Sequence, residues 1–250
     1  MLHDFREDKF DILIQAGQSN SYGCGFGDAS RPFEDDDRVF YLTGRFMIVP
    51  AVEQIYLNAI QGNYSLAFAR AYIADGRLEE GRRLLILRTS EGGTGFSDHR
   101  WDAEGDLFLR MMEMVKTALS LNPENRVVAL LWHQGETDVN NGMAGEVYTD
   151  HLRGLVRAVR QVCKNPALPF VAGDFTEQWR GERGAVCLPI QAGLKQVCGE
   201  GAGAFVETDG LLSNAQQNNN EDTIHFSRDA LYGLGERYFS AFCRIAGEKG

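Results

Sequence analysis

The sequence predicts an α/β protein with a three-layer α/β/α architecture. Its expected centre is a five-stranded parallel sheet in the flavodoxin-like order 2-1-3-4-5. Three observations carry this. Five short apolar runs end in glycine or polar residues. Five segments with helical apolar spacing alternate with them. The runs are apolar on both faces, as strands covered by helices on both sides must be, and right-handed crossovers restrict how such units connect.

The first strand is read at Asp11-Ile12-Leu13-Ile14-Gln15-Ala16, closed by Gly17. A helix follows around Leu66 to Ile73. The second strand is Arg83-Leu84-Leu85-Ile86-Leu87-Arg88. Residues 105–121 form a helix that repeats Leu107, Phe108, Met111, Met112, Val115 and Leu119 on one face. Val127 to Trp132 is the third strand. The helix over 145–163 turns Val147, Leu152, Leu155, Val156 and Val159 inward. Pro169 to Gly173 is the fourth strand, and a short helix over 189–198 has Pro189 near its first turn. Ala204 to Thr208 is the fifth strand, and a closing helix over 227–246 has Ser227 as its N-cap.

These units use up the 250 residues, so one domain, 1–250, is expected. Glycine is in excess, 28 residues where ~7% is usual, while proline is scarce at 6, so the glycines mark turns and not linkers. The net charge of −10 lacks a basic footprint for nucleic acid and is repelled by anionic membranes. No apolar run approaches bilayer length, and the charged start MLHDFREDKF has no signal-like apolar region. Five cysteines without C-x-x-C spacing read as reduced thiols, and a cytoplasmic location is expected. The oligomeric state is not readable.

Ligands of such a sheet bind beyond the carboxyl ends of the strands. The first strand is followed there by Gly17-Gln18-Ser19-Asn20-Ser21, the second by Glu91-Gly92-Gly93-Thr94-Gly95. The third ends in Trp132-His133-Gln134-Gly135-Glu136-Thr137-Asp138, and a polar loop after the fifth leads to Asp222-Thr223-Ile224-His225-Phe226.

Taken alone, Ser19 is an ordinary turn or cap serine. It is not in a G-x-S-x-G elbow, since Ser21 stands where the last glycine would be, which disfavours the α/β-hydrolase fold. A serine nucleophile needs a base, and the base needs an orienting carboxylate. Of five histidines, His225 has Asp222 three residues before it, so the carboxylate can hold one ring nitrogen while the other faces Ser19. Gly92 or Gly93 can offer an unobstructed backbone N–H to an oxyanion, and Gln134 an amide N–H. Each has a plain structural reading by itself; together they supply every part of an acyl-transfer site.

Competing motifs are weaker. Gly23-Cys24-Gly25-Phe26-Gly27 lacks dinucleotide-loop spacing, and no P-loop is present. His133 and Glu136 have no partners at metal-ligand spacing, and Asp35-Asp36-Asp37 reads as a solvated loop, so neither metal nor cofactor is expected.

These blocks resemble the SGNH-hydrolase superfamily, in its sialate O-acetylesterase/acetylxylan esterase branch of carbohydrate esterases. The likeness is carried by Gly17-Gln18-Ser19-Asn20, Gly92-Gly93-Thr94 with Trp101 downstream, the Trp132–Asp138 block and Asp222–Phe226. Phe68-Ala69-Arg70 also fits. The blocks keep family order over residues 12–237, and the first and third are specific in combination. The resemblance implies a triad of Ser19 as nucleophile, His225 as base and Asp222 as its partner. It implies oxyanion donors at the Ser19 N–H, the Gly92 N–H (Gly93 in the alternative register) and the Gln134 side chain. Glu136 and Asp138 would brace the third-strand loop. Ser21 departs from the methionine frequent in the family.

An O-acetylated carbohydrate is the implied substrate, either a sialic acid or an acetylated xylo- or other oligosaccharide. Arg100, Trp101, Gln18 and Asn20 are expected on the substrate side, with Arg100 available to pair with a sialic acid carboxylate. Without a signal or an added module, the chain is expected to act on small, imported sugars. Two further readings are a lipase or thioesterase of the same superfamily and a non-catalytic carbohydrate-binding protein.

Overall fold

The computed structural model describes residues 3–247. In chain order they form β1 (Lys9–Gly17), α1 (Ser19–Tyr22), β2 (Val39–Leu42), β3 (Ile48–Pro50), β4 (Gln54–Tyr56), β5 (Ala59–Gln61), α2 (Tyr64–Ala74) and β6 (Arg82–Arg88). Then follow α3 (Asp106–Leu121), β7 (Arg126–His133), α4 (Glu136–Asn140), α5 (Gly145–Val162), β8 (Phe170–Gly173) and α6 (Glu177–Arg183). A 3-10 turn leads into α7 (Leu188–Cys198), and β9 (Gly203–Val206), α8 (Asn214–Asn218) and α9 (Arg228–Ile245) complete the fold.

The main sheet runs β3-β2-β6-β1-β7-β8-β9. Its last five members are the five expected strands, in the expected order and all parallel. The sheet is wider than expected by β2, parallel to β6, and β3, antiparallel to β2. Both are short. Pro50, with no N–H to give a ladder, sits on the outer strand, where proline is tolerated. A separate two-stranded hairpin joins β4 to β5. It turns through Leu57 and Asn58, both at positive φ, as a tight hairpin turn requires.

Strand pleating sorts side chains to the two faces. From β1, Phe10, Ile12, Ile14 and Ala16 enter a core shared with α3, α5 and α7. Leu13 enters the opposite core, built on α2 and α9. The five expected helices are α2, α3, α5, α7 and α9, and Ser227 caps α9 by accepting from the Ala230 N–H. One inward assignment fails: Val147 is exposed, and Tyr148 beside it is buried, packed edge-on to Phe96. Among the described residues, no helix is long and apolar enough to cross a membrane.

The joint between β1 and β7 positions everything that follows. Gly17 has φ +130°, and a Cβ there would lie 2.1 Å from the His133 carbonyl oxygen, so only glycine allows the approach. The Gln18 N–H donates to that same carbonyl at 3.0 Å.

Candidate active site

Beyond that joint, Ser19 opens the single turn of α1, and its N–H has no backbone acceptor. Its Oγ lies 2.8 Å from Nε2 of His225. Nδ1 of His225 lies 2.9 Å from both carboxylate oxygens of Asp222. A carboxylate only accepts, so Nδ1 carries the proton and Nε2 presents its lone pair to the Ser19 hydroxyl.

Asp222 is itself held in place. Asn214 Nδ2 donates to Oδ2 at 2.9 Å, and the His225 N–H donates to Oδ1 at 3.2 Å. Burial raises the Asp222 pKa, but the hydrogen bonds from His225 and Asn214 outweigh it and hold the carboxyl below its ordinary range. The three groups come from opposite ends of the chain, and Asn20 ties those ends together. Its Nδ2 donates to Glu136 Oε1 at 2.7 Å and to the Ile224 carbonyl at 3.0 Å, and its Oδ1 accepts from the Phe226 N–H at 3.1 Å. With all these bonds made and no exposed surface, Asn20 is a brace. Its expected place on the substrate side is corrected.

Of the two glycines in the 91–95 loop, Gly92 is the neighbour of Ser19. A Cβ at Gly92 would stand 3.9 Å from the Ser19 Cβ, whereas one at Gly93 would meet nothing within 4 Å. The Gly92 N–H has no backbone acceptor.

Gln134 departs from expectation. It is fully buried, and Nε2 donates to Asp138 Oδ2 at 2.8 Å and faces the Thr94 carbonyl and Gln18 Oε1, both at 3.2 Å. Two amide hydrogens shared among three acceptors leave none for an oxyanion. Gln18 shows the reverse pattern. Its Oε1 accepts from Gln134 Nε2, from the Thr137 N–H at 3.2 Å and from the Gly135 N–H at 3.5 Å. Its Nε2 has no hydrogen-bond partner among the described residues, so of the two glutamine amides Gln18 is the uncommitted one.

Glu136 and Asp138 sit as braces. Asp138 accepts from the Phe96 and Ser97 N–H groups at 3.2 and 2.7 Å, fixing the loop that follows Gly92. Glu136 is fully buried, and burial raises its pKa above the ordinary value, against the bond from Asn20.

Arg100 and Trp101 do not reach the site, which corrects both. Arg100 forms a two-pronged pair with Asp106 at 3.0 and 2.8 Å. Trp101 is buried, with its Nε1 donating to Thr94 Oγ1 at 3.0 Å and its ring edge-on to Trp132 at 5.1 Å.

His225 and Gly92 open onto a cavity of about 870 Å³. Its far wall is supplied by the β4–β5 hairpin and its approach, through Val52, Ile55 and Tyr56, with Tyr22 and Phe26 nearby. No motif in the sequence marked these residues. The one cue was a cluster of apolar residues at 52–60 with no place in the strand–helix alternation. Cys24 also lines the cavity, but burial pushes its thiol up to about 11, so it is a neutral neighbour and not a rival nucleophile. Among the described residues, no group of three or more His, Cys, Asp or Glu side chains is placed to hold a metal ion.

Comparison with known proteins places the chain in a family. The family of carbohydrate esterases described as sialic acid-specific acetylesterases matches residues 9–244. A probable carbohydrate esterase of Arabidopsis thaliana, At4g34215, is 26% identical over 264 residues, covering 93% of this chain and 91% of that protein. The crystal structure of NanS superposes with a TM-score of 0.78 at 20% identity, covering 94% of this chain and 97% of NanS. A catalytic mutant of Axe2, an acetylxylan esterase from Geobacillus stearothermophilus, superposes with a TM-score of 0.53 at 16% identity, covering 97% and 96%.

Proposed function

The chain belongs to the sialic acid-specific acetylesterase family of carbohydrate esterases, and from that premise we propose that it is a serine esterase that removes O-acetyl groups from a carbohydrate through an acyl-serine intermediate. The observation that carries the proposal is the continuous hydrogen-bonded line from Asp222 through His225 to the Ser19 hydroxyl. A structural histidine would not need its second nitrogen free for a serine beside an open cavity.

In the first step Ser19 Oγ attacks the acetyl carbonyl carbon while His225 Nε2 takes the hydroxyl proton. Asp222 stabilises the imidazolium that forms. The oxygen of the tetrahedral intermediate takes up negative charge, and the Ser19 N–H, the Gly92 N–H and Gln18 Nε2 are its donors. The intermediate collapses, the C–O bond to the sugar breaks, and His225 returns its proton to the leaving sugar oxygen. In the second step His225 deprotonates water, which attacks the acetyl-serine; the bond to Ser19 Oγ breaks, acetate leaves, and His225 returns the proton to that oxygen. The protein's own residues supply each proton transfer. A reducing, cytoplasmic setting forms part of the proposal, supported by five cysteines that are all unpaired thiols.

The test is acetate release from O-acetylated glycans and 4-nitrophenyl acetate, alongside labelling by an organophosphate. Wild-type protein takes one phosphoryl group on Ser19, and Ser19→Ala loses at least ~10⁴-fold in kcat while keeping its melting temperature. A Ser19→Ala protein that hydrolyses the nitrophenyl ester at the wild-type rate ends the proposal.

A further inference from the structure

The walls of the cavity say which kind of sugar fits it. Tyr22 is a rigid wall: the Arg88 guanidinium lies 4.6 Å from its ring centroid and 5.0 Å from that of Tyr41, and Arg88 also donates to the Tyr22 carbonyl at 2.7 Å. The hairpin lines the same cavity through Ile55 and Tyr56, which are 74% and 57% exposed. Faces of this kind suit the C–H faces of a pyranose ring.

The charges facing the same space are carboxylates. Glu53, Glu91 and Asp222 line it, and among the described lining residues there is no lysine or arginine. The guanidinium groups beside it are already engaged, two of them by these same carboxylates, and Arg183, in the adjoining cleft that shares Asp222, lies 5.4 Å over the Trp179 ring. Arg228 is paired two-pronged with Glu53 at 2.8 and 2.7 Å. Arg110 lies 3.4 Å from Glu91, Arg88 is held against the tyrosine rings, and Arg100 is locked to Asp106. Glu91, at 44% side-chain exposure, directly precedes Gly92 and stands at the mouth.

We infer that this site selects an uncharged acetylated sugar and discriminates against the carboxylate of a sialic acid. A carboxylate is recognised by a guanidinium or an array of N–H donors, and here an entering one meets Glu91 and the negative field of the chain. The inference rests on the esterase reading above.

The experiment compares acetate release from three substrates: an O-acetylated sialic acid, the C1 methyl ester of the same compound, and a mono-O-acetylated methyl β-xyloside. The first two differ only in one charge. The methyl ester and the xyloside are expected to exceed the free acid in kcat/KM by about tenfold, the effect of a like charge close to a partly exposed one. Added salt raises the rate on the free acid alone, and Glu91→Gln brings the ester-to-acid ratio toward one. A ratio at or below one in the wild-type protein, or one that Glu91→Gln leaves unchanged, overturns the inference while 4-nitrophenyl acetate hydrolysis leaves the esterase reading standing. No hydrolysis of any ester overturns both.

Discussion

The two ends of β1 bury polar groups in opposite ways. At the amino end Asp11 is fully buried and fully answered: Arg82 Nε and Arg126 Nε donate to its Oδ1 at 2.8 and 2.7 Å, and the Tyr72 hydroxyl donates to its Oδ2 at 2.8 Å. At the carboxyl end, around Gly17, buried atoms are left over. His133 Nε2, Gln134 Oε1 and Glu136 Oε2 have no partner. Polar groups at the first end are arranged to cancel each other. At the second they are spent on holding two loops in one position, and geometry there has taken precedence over full pairing.

The largest break in this comparison is expected at the amino end. Asp11→Ala leaves Arg82, whose side chain is 7% exposed, without its buried partner, and the expected cost is about 3–5 kcal/mol of unfolding free energy. Activity per folded molecule stays at the wild-type value. Urea melts and active-site titration check the two halves separately, and a loss below ~1 kcal/mol would show that this end is not a stability element.

Next comes the proposed oxyanion donor, Gln18. Gln18→Glu keeps the acceptor oxygen that holds Gln134, Gly135 and Thr137 and puts a charged acceptor where the free amide N–H stands. A fall of about 10²–10³-fold in kcat with little change in KM is expected. Gln134→Ala should instead act mainly through the melting temperature. If kinetics rank the two glutamines the other way, Gln134 is the oxyanion donor and its amide turns when substrate binds.

The most gradual effect is a slope with pH. Burial holds the His133 imidazole down at about 3 against an ordinary 6.5, so it is neutral in the fold. Below pH 6.5 the unfolded chain takes up a proton there that the folded chain refuses. Stability from this group is therefore complete above that pH and falls by about 1.4 kcal/mol per unit as pH drops toward the folded value. Glu136 acts with the opposite sign: its raised pKa stabilises the fold below 4.5, and that share is lost as pH rises through the folded value. Subtracting the stability of His133→Asn from that of the wild type at each pH isolates the first slope. Parallel curves would mean His133 titrates alike in both states.

How much of this was legible depended on the kind of signal. The five parallel strands were readable because each is built on an apolar run, and the Asp222–His225 pairing because the two share one turn of chain and few other histidines compete. Residues 39–61 were not readable. Val39–Leu42 is only four residues long, β3 to β5 are three each, and their partners are set by tertiary pairing. That segment lines the cavity, so the proposed catalytic groups were visible while the cavity facing them was not. Arg100 and Trp101 were misplaced for a related reason: nearness in sequence to the Gly92 loop says nothing of which way a side chain leaves it. The role of Gln18 also needed coordinates, because only the count of donors and acceptors around Gln134 shows which amide is free.

The bond from Ser19 to His225 joins residues 206 apart, and the Asn20 brace spans the same distance. A chain grows from its amino end, so the serine exists long before anything can take its proton. A chain of some 220 residues emerging from a ribosome carries Ser19, the 91–95 loop and both glutamines, yet on the proposed mechanism it is chemically idle. Under the proposed mechanism synthesis itself acts as the arming step, since the hydroxyl meets its base only when the late-made loop folds back onto the earliest strand.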